Sequence, residues 1–408
     1  MIPSKFLKLT TPMQVGIVLL CVVLFGNLLP VNFQAFLYAI SLTLEDLTLF
    51  ILPVLIFSCS FLSLSEVYDK KSIGLILVLL FTIVCVSNYV ATFIAYGVVS
   101  LKLIDINISS VGVINSTKLE ALWHISLPKW IPFNYALLGG FTVGCVSSFV
   151  PLQIQNKLNI SASHIVDFFL KQFFIKILPV FVLGFLIKME FDGILSQTIK
   201  YCLPLLVLLS ITYILYLAFL FAVVANFNFQ TWIKYIKNVI PVVVTGFSTM
   251  SSLLTMPLTI NAAEQNTNDP NIARLVIPIT ANVHMVGLAI NIPMIALSML
   301  LGFGYELPTF GTYSVFALYF VLTQFAGAGV PGCGILLMIP LLETYLGFTN
   351  EMSALIIIIY VLFDATETSA NVLGNSILVI VISKIYKALN SKCTKYMELR
   401  KNINIEVL

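Results

Sequence analysis

The chain has 408 residues, 59% hydrophobic and 10% charged, with a net charge of +3 and a mean hydropathy of +1.03. Soluble domains carry charge on roughly a quarter of their residues, so an ordinary cytosolic enzyme, a disordered protein and a nucleic-acid binder are excluded. The composition instead reads as a single polytopic membrane domain over 1–408, with lipid as its surroundings. The seven cysteines include no C-x-x-C pair and sit mostly in apolar runs, which argues against a disulfide framework or a metal site.

Lys5 and Lys8 precede the first apolar run, and no small-residue cleavage site follows, so this run reads as a first transmembrane helix rather than a removed signal. A helix crosses the hydrocarbon in about 20 residues. Stretches free of Asp, Glu, Lys and Arg run over 9–44, 47–65, 72–101, 130–156, 201–233, 238–263, 275–305 and 307–342, while 352–383 is interrupted only by Asp364 and Glu367. The turn Leu29-Pro30-Val31-Asn32 divides the first stretch, a further helix fits 163–187, and 102–129 is the longest polar insertion. Eight spans are predicted in this way.

Stretches 238–263 and 307–342 have a different character. The first is broken by Thr245-Gly246-Phe247-Ser248-Thr249-Met250-Ser251-Ser252, the second by Ala326-Gly327-Ala328-Gly329-Val330-Pro331-Gly332-Cys333-Gly334. Exposed backbone polar groups survive at membrane depth only inside protein or along a cavity. Two re-entrant hairpins satisfy that condition, and two kinked transmembrane helices are the alternative. With the N-terminus inside and the hairpins returning to opposite sides, only Lys102, Lys118, Lys129, Lys188 and Lys200 of the 21 basic residues fall outside. This bias obeys the positive-inside rule, places both termini in the cytoplasm and makes 389–408 a solvated cytoplasmic tail.

Ionisable groups at membrane depth cost about 2.5–3.5 kcal/mol each on insertion scales and mark function by default. The last span carries Asp364, Glu367, Thr368, Asn371 and Asn375, which share an arc of roughly 100° on a helix. A helix–helix hydrogen-bonding seam is the plain alternative, and two carboxylates argue against it. Such a pair repels in a dry site unless a cation or proton is present. His284 lies in an uncharged run, expected on one helix with Asn282 and Asn291, as either a coupling group or a satisfied core residue. Thr323-Gln324 before the glycine-rich tip reads as structural. No phosphate loop, H-E-x-x-H or G-x-S-x-G occurs, so an ATP-driven transporter, a protease and a lipase have no support and no organic cofactor is expected.

Four of these segments, in order, resemble the dicarboxylate/amino acid:cation symporter family, which includes the glutamate and neutral amino acid transporters. Gly246 to Pro257 is similar to its serine-rich first-hairpin tip and Ala328 to Gly334 to its second. Ala281 to Gly287 lies where its seventh helix carries N-M-D-G-T, and Asp364 to Asn375 is similar to its last helix. The resemblance implies an all-α integral membrane fold of eight transmembrane helices plus two re-entrant hairpins, an elevator mechanism and a homotrimer. The scaffold would lie mainly in 9–65 and 130–190, the transport unit mainly in 72–101 and 200–388. It further implies that Ser251 and Ser252 hold the substrate α-carboxylate and that Val330, Gly332 and Gly334 cover the ligand. Asp364, assisted by Thr368, would take the amino group, and Asn371 the substrate backbone.

The departures sharpen the expectation. Glu367 stands where the acidic amino acid transporters have an arginine, which predicts a cationic or neutral amino acid rather than an acidic one. Asn375 stands where the family has a sodium-binding aspartate, and His284, Val286 and Leu288 replace the Asn, Asp and Thr of the seventh-helix motif. The ion-coupling candidates are therefore His284, Asn282, Asn371, Asn375, Asp364 and Glu367, with a proton as the leading ion in place of sodium. The expected activity is symport of an amino acid across a bacterial inner membrane, without enzymatic chemistry. Two other readings are a neutral amino acid:proton symporter with Glu367 as the proton carrier, and a non-transporting amino acid sensor on the same fold. A dedicated ion channel fits the blocked hairpins poorly.

Overall fold

The computed structural model describes residues 11–65, 74–103, 119–128, 130–147, 150–169, 173, 175–193, 195–281, 283–325 and 334–405. Among these residues there is no strand. The helices are α1 (Thr11–Phe25), α2 (Val31–Ser65), α3 (Gly74–Ser100), α4 (Phe133–Ser147), α5 (Leu152–Asp167), α6 (Ile175–Phe191) and α7 (Leu195–Val224). They continue as α8 (Phe229–Thr249), α9 (Ser252–Thr267), α10 (Pro270–Thr280), α11 (Val286–Gly302), α12 (Phe310–Gln324), α13 (Gly334–Leu346) and α14 (Asn350–Ile405). Four spans, Val31–Leu62, Leu80–Ser100, Ile199–Val224 and Asn350–Ala388, are long and apolar enough to cross a membrane. The protein is an integral membrane protein built of helices.

α2 packs against α4, α5 and α6, with α1 on α6, whereas α14 packs against α7, α8, α9 and α11, with α3 on α11 and α12. α11 is buried on all its faces from Val286 to Leu300, as an all-round apolar helix must be. It forms the core with α14.

Polar tethers fix which helix ends lie together. At one end, Lys384 Nζ donates to Val224 O and to Asn226 Oδ1 at 3.1 Å, and Lys387 Nζ to Thr267 O at 3.0 Å. These lysines satisfy carbonyls left open at the C-termini of α7 and α9. At the other end, Tyr96 Oη donates to Pro308 O at 3.0 Å, Asn27 Nδ2 to Glu190 Oε1 at 2.7 Å, and Lys188 Nζ lies 3.8 Å from Glu351.

α8 and α9 form a tight antiparallel hairpin. Met250 turns the chain in the left-handed region at φ 50°, and Ser251 Oγ caps α9 by accepting from Leu254 N at 3.3 Å. Asn238 Nδ2 donates to Asn266 Oδ1 at 2.7 Å between the two arms. α12 and α13 also pack together, with Tyr319 stacked on Tyr345 at 5.4 Å. Their connection lies outside the described residues.

The structure departs from the sequence expectations in four places. The stretch 130–156 is two helices, because Pro132 delays the start of α4 and Pro151 begins α5 afresh. α4, with 15 residues, is only about 22 Å long. The end of the expected external loop, 119–128, instead runs extended along α2. Trp123 Nε1 donates to Thr43 Oγ1 at 3.0 Å, His124 Nε2 lies 3.0 Å from Asp46 Oδ2, and Trp130 Nε1 just beyond donates to Phe50 O at 2.7 Å. α14 does not end near 388 but continues to Ile405, because Lys384 to Lys401 contains no glycine or proline. The single helix expected through His284 is interrupted at 281–285, between α10 and α11.

Candidate functional site

The interruption at 281–285 is the centre of the site. A break in a buried helix leaves carbonyls and N–H groups that must find partners. Thr280 O accepts from both Val283 N (3.0 Å) and His284 N (2.9 Å), closing a turn. The carbonyls of Val283, His284 and Met285 are met by side-chain amides from three different helices, Met285 O also accepting from Ala289 N at 2.9 Å. Asn88 Nδ2 of α3 donates to Val283 O at 3.0 Å, Asn375 Nδ2 of α14 to His284 O at 3.3 Å, and Gln324 Nε2 of α12 to Met285 O at 3.5 Å. On the donor side, Asn371 Oδ1 accepts from Gly287 N at 2.8 Å and Leu288 N at 3.4 Å, capping α11 from α14.

Close approach makes this possible. A Cβ on Gly287 would stand 2.4 Å from Glu367 O, so only glycine lets α11 lie this near α14. A Cβ on Gly334, at the start of α13, would stand 2.9 Å from Tyr360 Oη and 3.1 Å from Leu288 Cδ1. α13 thus begins against both α11 and α14. From the other side, Ser369 Oγ donates to Val243 O at 3.3 Å and joins α14 to the α8 arm of the hairpin.

The polar face of α14 is buried at Asp364, Glu367, Thr368, Asn371 and Asn375. Glu367 is turned toward α11. Its Oε2 accepts from Asn291 Nδ2 at 2.9 Å, and its Oε1 from Tyr360 Oη at 3.3 Å and Asn371 Nδ2 at 3.4 Å. Asp364 lies one turn earlier with Thr368 beside it, and its Oδ2 is buried without a hydrogen-bond partner. Among the described residues no lysine or arginine is buried, so neither carboxylate has a basic partner in the interior.

Of the residues singled out in the sequence, Glu367, Asn371, Asn375 and His284 come together at α11 and the break before it, with Asp364 and Thr368 buried on the same face of α14. Ser251 and Ser252 lie at the α8–α9 tip, where Ser251 Oγ is engaged as a cap and Thr249 Oγ1 lies 3.3 Å from Thr255 Oγ1. Gly334 opens α13. Asn282, Val330 and Gly332 lie outside the described residues. His284 does not share a helix with Asn291: it sits in the interruption, with Nε2 2.9 Å from Ser87 Oγ, while Asn291 is on α11. The side-chain carboxamides that donate to these carbonyls from other helices favour this break over a continuous helix.

Sequence reasoning missed Ser87, Asn88 and Tyr360 as members of the site, and it named Asn291 only as a helix-mate of His284. Ser87-Asn88 was the one available signal, an adjacent polar pair in the middle of an apolar run.

A family model described as the sodium:dicarboxylate symporter family matches residues 11–385. Among curated proteins, the chain is 30% identical over 154 residues to glt-4 of Caenorhabditis elegans, covering 38% of this chain and 30% of that protein. It is 28% identical over 198 residues to excitatory amino acid transporter 1 of Homo sapiens, covering 48% and 36% respectively. It is also 30% identical over 152 residues to excitatory amino acid transporter 4 of Rattus norvegicus, covering 37% and 27%. The matches thus span about a third of the relatives' length. A match that runs from the first described helix into α14, over a helical membrane fold, has one consequence: the chain belongs to the sodium:dicarboxylate symporter family.

Proposed function

We propose that this chain carries an amino acid across the membrane by secondary active transport, with the substrate ammonium group held at Asp364. The carrying observation is the buried, unpartnered Oδ2 of Asp364, beside Thr368 and one turn from the Glu367 network. An unpaired buried carboxylate is costly, and a cationic ligand group offsets that cost. Ser251 and Ser252 at the α8–α9 tip and Gly334 at the start of α13, with Val330 and Gly332 from the preceding stretch of sequence, enclose the remainder of the ligand. Asn371 contributes through its position between Glu367 and α11.

The substrate is a cationic or neutral amino acid rather than an acidic one. An acidic side chain would enter a site with two carboxylates and no buried basic residue among those described. Coupling is to protons, with sodium weakened or replaced. A second reading, a neutral amino acid:proton symporter with Glu367 as the proton carrier, is favoured by the enclosure of Glu367 among Asn291, Tyr360 and Asn371.

The architecture belongs to the same proposal. Eight crossings and two re-entrant hairpins entering from opposite sides agree with the tethered helix ends. The segments 9–65 and 130–190 form a scaffold, and 72–101 and 200–388 an elevator-like transport unit. Three copies assemble in a bacterial inner membrane with both termini cytoplasmic.

Counterflow in proteoliposomes tests the function, with lysine, ornithine, neutral and acidic amino acids as substrates. Exchange of cationic or neutral amino acids is expected. Exchange of acidic amino acids alone overturns the substrate reading, and binding without exchange makes the chain a sensor.

A further inference from the structure

We infer that the interruption between α10 and α11 is held closed by the chain's own carboxamides in the place of a cation, so that its order does not depend on sodium. The inference rests on the transporter reading only for its consequence in coupling. Its structural content stands on hydrogen bonds.

Carbonyls released by an unwound helix carry partial negative charge and converge. A bound cation is one way to satisfy them, and N–H donors are the other. Here the donors are present. Val283 O and His284 O, the two carbonyls that α11 leaves open, each accept from a side-chain amide, and Met285 O, which already accepts from Ala289 N at 2.9 Å, takes a second donor from Gln324 at 3.5 Å. Asn375 uses its NH2 group twice, donating to His284 O at 3.3 Å and to Asn371 O at 3.1 Å. It thereby bridges a carbonyl of the break to one of α14, the link that an ion between the two strands of backbone would otherwise make.

The oxygens left over do not rebuild an ion site. Asn88 Oδ1, Gln324 Oε1 and Asn375 Oδ1 are buried without hydrogen-bond partners. Asn375 lies against the His284 ring, whose Nδ1 is also unpartnered and whose Nε2 meets Ser87 Oγ at 2.9 Å. With Nδ1 unpartnered, the ring hydrogen-bonds to the protein through Nε2 and Ser87 alone. Three neutral amide oxygens remain, without a charge among them, too few to replace the water shell of a hard cation. The carboxylate that could add charge, Glu367, already accepts from three donors, and Val286 has no oxygen in its side chain. Sodium therefore does not fit the interruption as this sequence builds it.

The experiment is hydrogen exchange of the purified full chain in detergent, read on peptides covering 280–290, in sodium chloride and in choline chloride at equal ionic strength. Equal protection in the two salts is expected. Asn375→Ala and Asn88→Ala should each raise exchange there about tenfold, by the same factor in both salts, as loss of a hydrogen bond to a buried carbonyl requires. Saturable protection of 280–290 by sodium in the unmodified protein overturns the inference. So does an unchanged exchange rate in both alanine variants. Failure of every amino acid to bind would refute the transport reading instead, and would leave these exchange rates as they are.

Discussion

Asn291 on α11 donates its amide to Glu367 on α14 at 2.9 Å, and neither side chain reaches solvent. The pair fixes the orientation of the one carboxylate that most distinguishes this site. Asn291→Leu leaves that carboxylate short of a donor in a closed space. The expected cost is about 2–3 kcal/mol, since hydrogen bonds to charged groups are the strong ones. The double variant Asn291→Leu with Glu367→Met replaces both partners with apolar groups and is expected to be less destabilised than the sum of the two. Thermal midpoints of the two single variants and the double variant measure the coupling, and simple additivity would show that the two residues act independently.

Gly287→Ala places a methyl group 2.4 Å from Glu367 O and 3.0 Å from Asn371 Oδ1. The nearest atom is backbone, so α11 must move away from α14. A loss of about 1–3 kcal/mol is expected, together with faster exchange of the Gly287 and Leu288 amides that Asn371 caps. Unchanged exchange at those two amides would contradict the capping role.

Asp364→Asn separates binding from folding. The carboxylate Oδ2 has no partner in the folded chain, so removing its charge relieves a buried unpaired group. The variant is expected to be as stable as the parent or more so, yet to lose stabilisation by every amino acid ligand. A ligand-induced rise in melting temperature equal to that of the parent would remove Asp364 from the site.

Lys384→Met removes the donor to Val224 O and Asn226 Oδ1. The cost is about 1 kcal/mol, in the range for a cation at a helix C-terminus. It should appear as faster exchange over 221–227 with little change at 280–290. High salt should reduce the difference between variant and parent, because the interaction is partly electrostatic.

The long apolar runs and the polar arc on the last span carried much of the fold into the sequence. A run of twenty apolar residues admits few structures in a bilayer, and Asp364, Glu367, Thr368, Asn371 and Asn375 lie on one helix, so their shared face follows from periodicity alone. The interruption at 281–285 was hidden because its cause is not local. Asn88, Gln324 and Asn375 are far apart in the chain, and only the packing of α3, α12 and α14 brings their amides to three adjacent carbonyls. The orientation of Glu367 was hidden for the same reason, since Asn291 and Ser298 are the two polar residues of an otherwise apolar helix and nothing local pairs either with α14. Pro132 and Pro151 did signal the shape of 130–156, but hydropathy averaged over the run concealed them.

α14 passes through the site and onward to Ile405 without a break. It is therefore a lever as well as a wall. Asp364 and Lys384 lie on the same rigid rod, about 30 Å apart at 1.5 Å per residue. A spectroscopic label near Tyr386, which is 39% exposed, would move with Asp364 as one piece. Any shift of the face that carries Asp364 can thus be followed from the exposed end of this helix, with the buried residues left untouched.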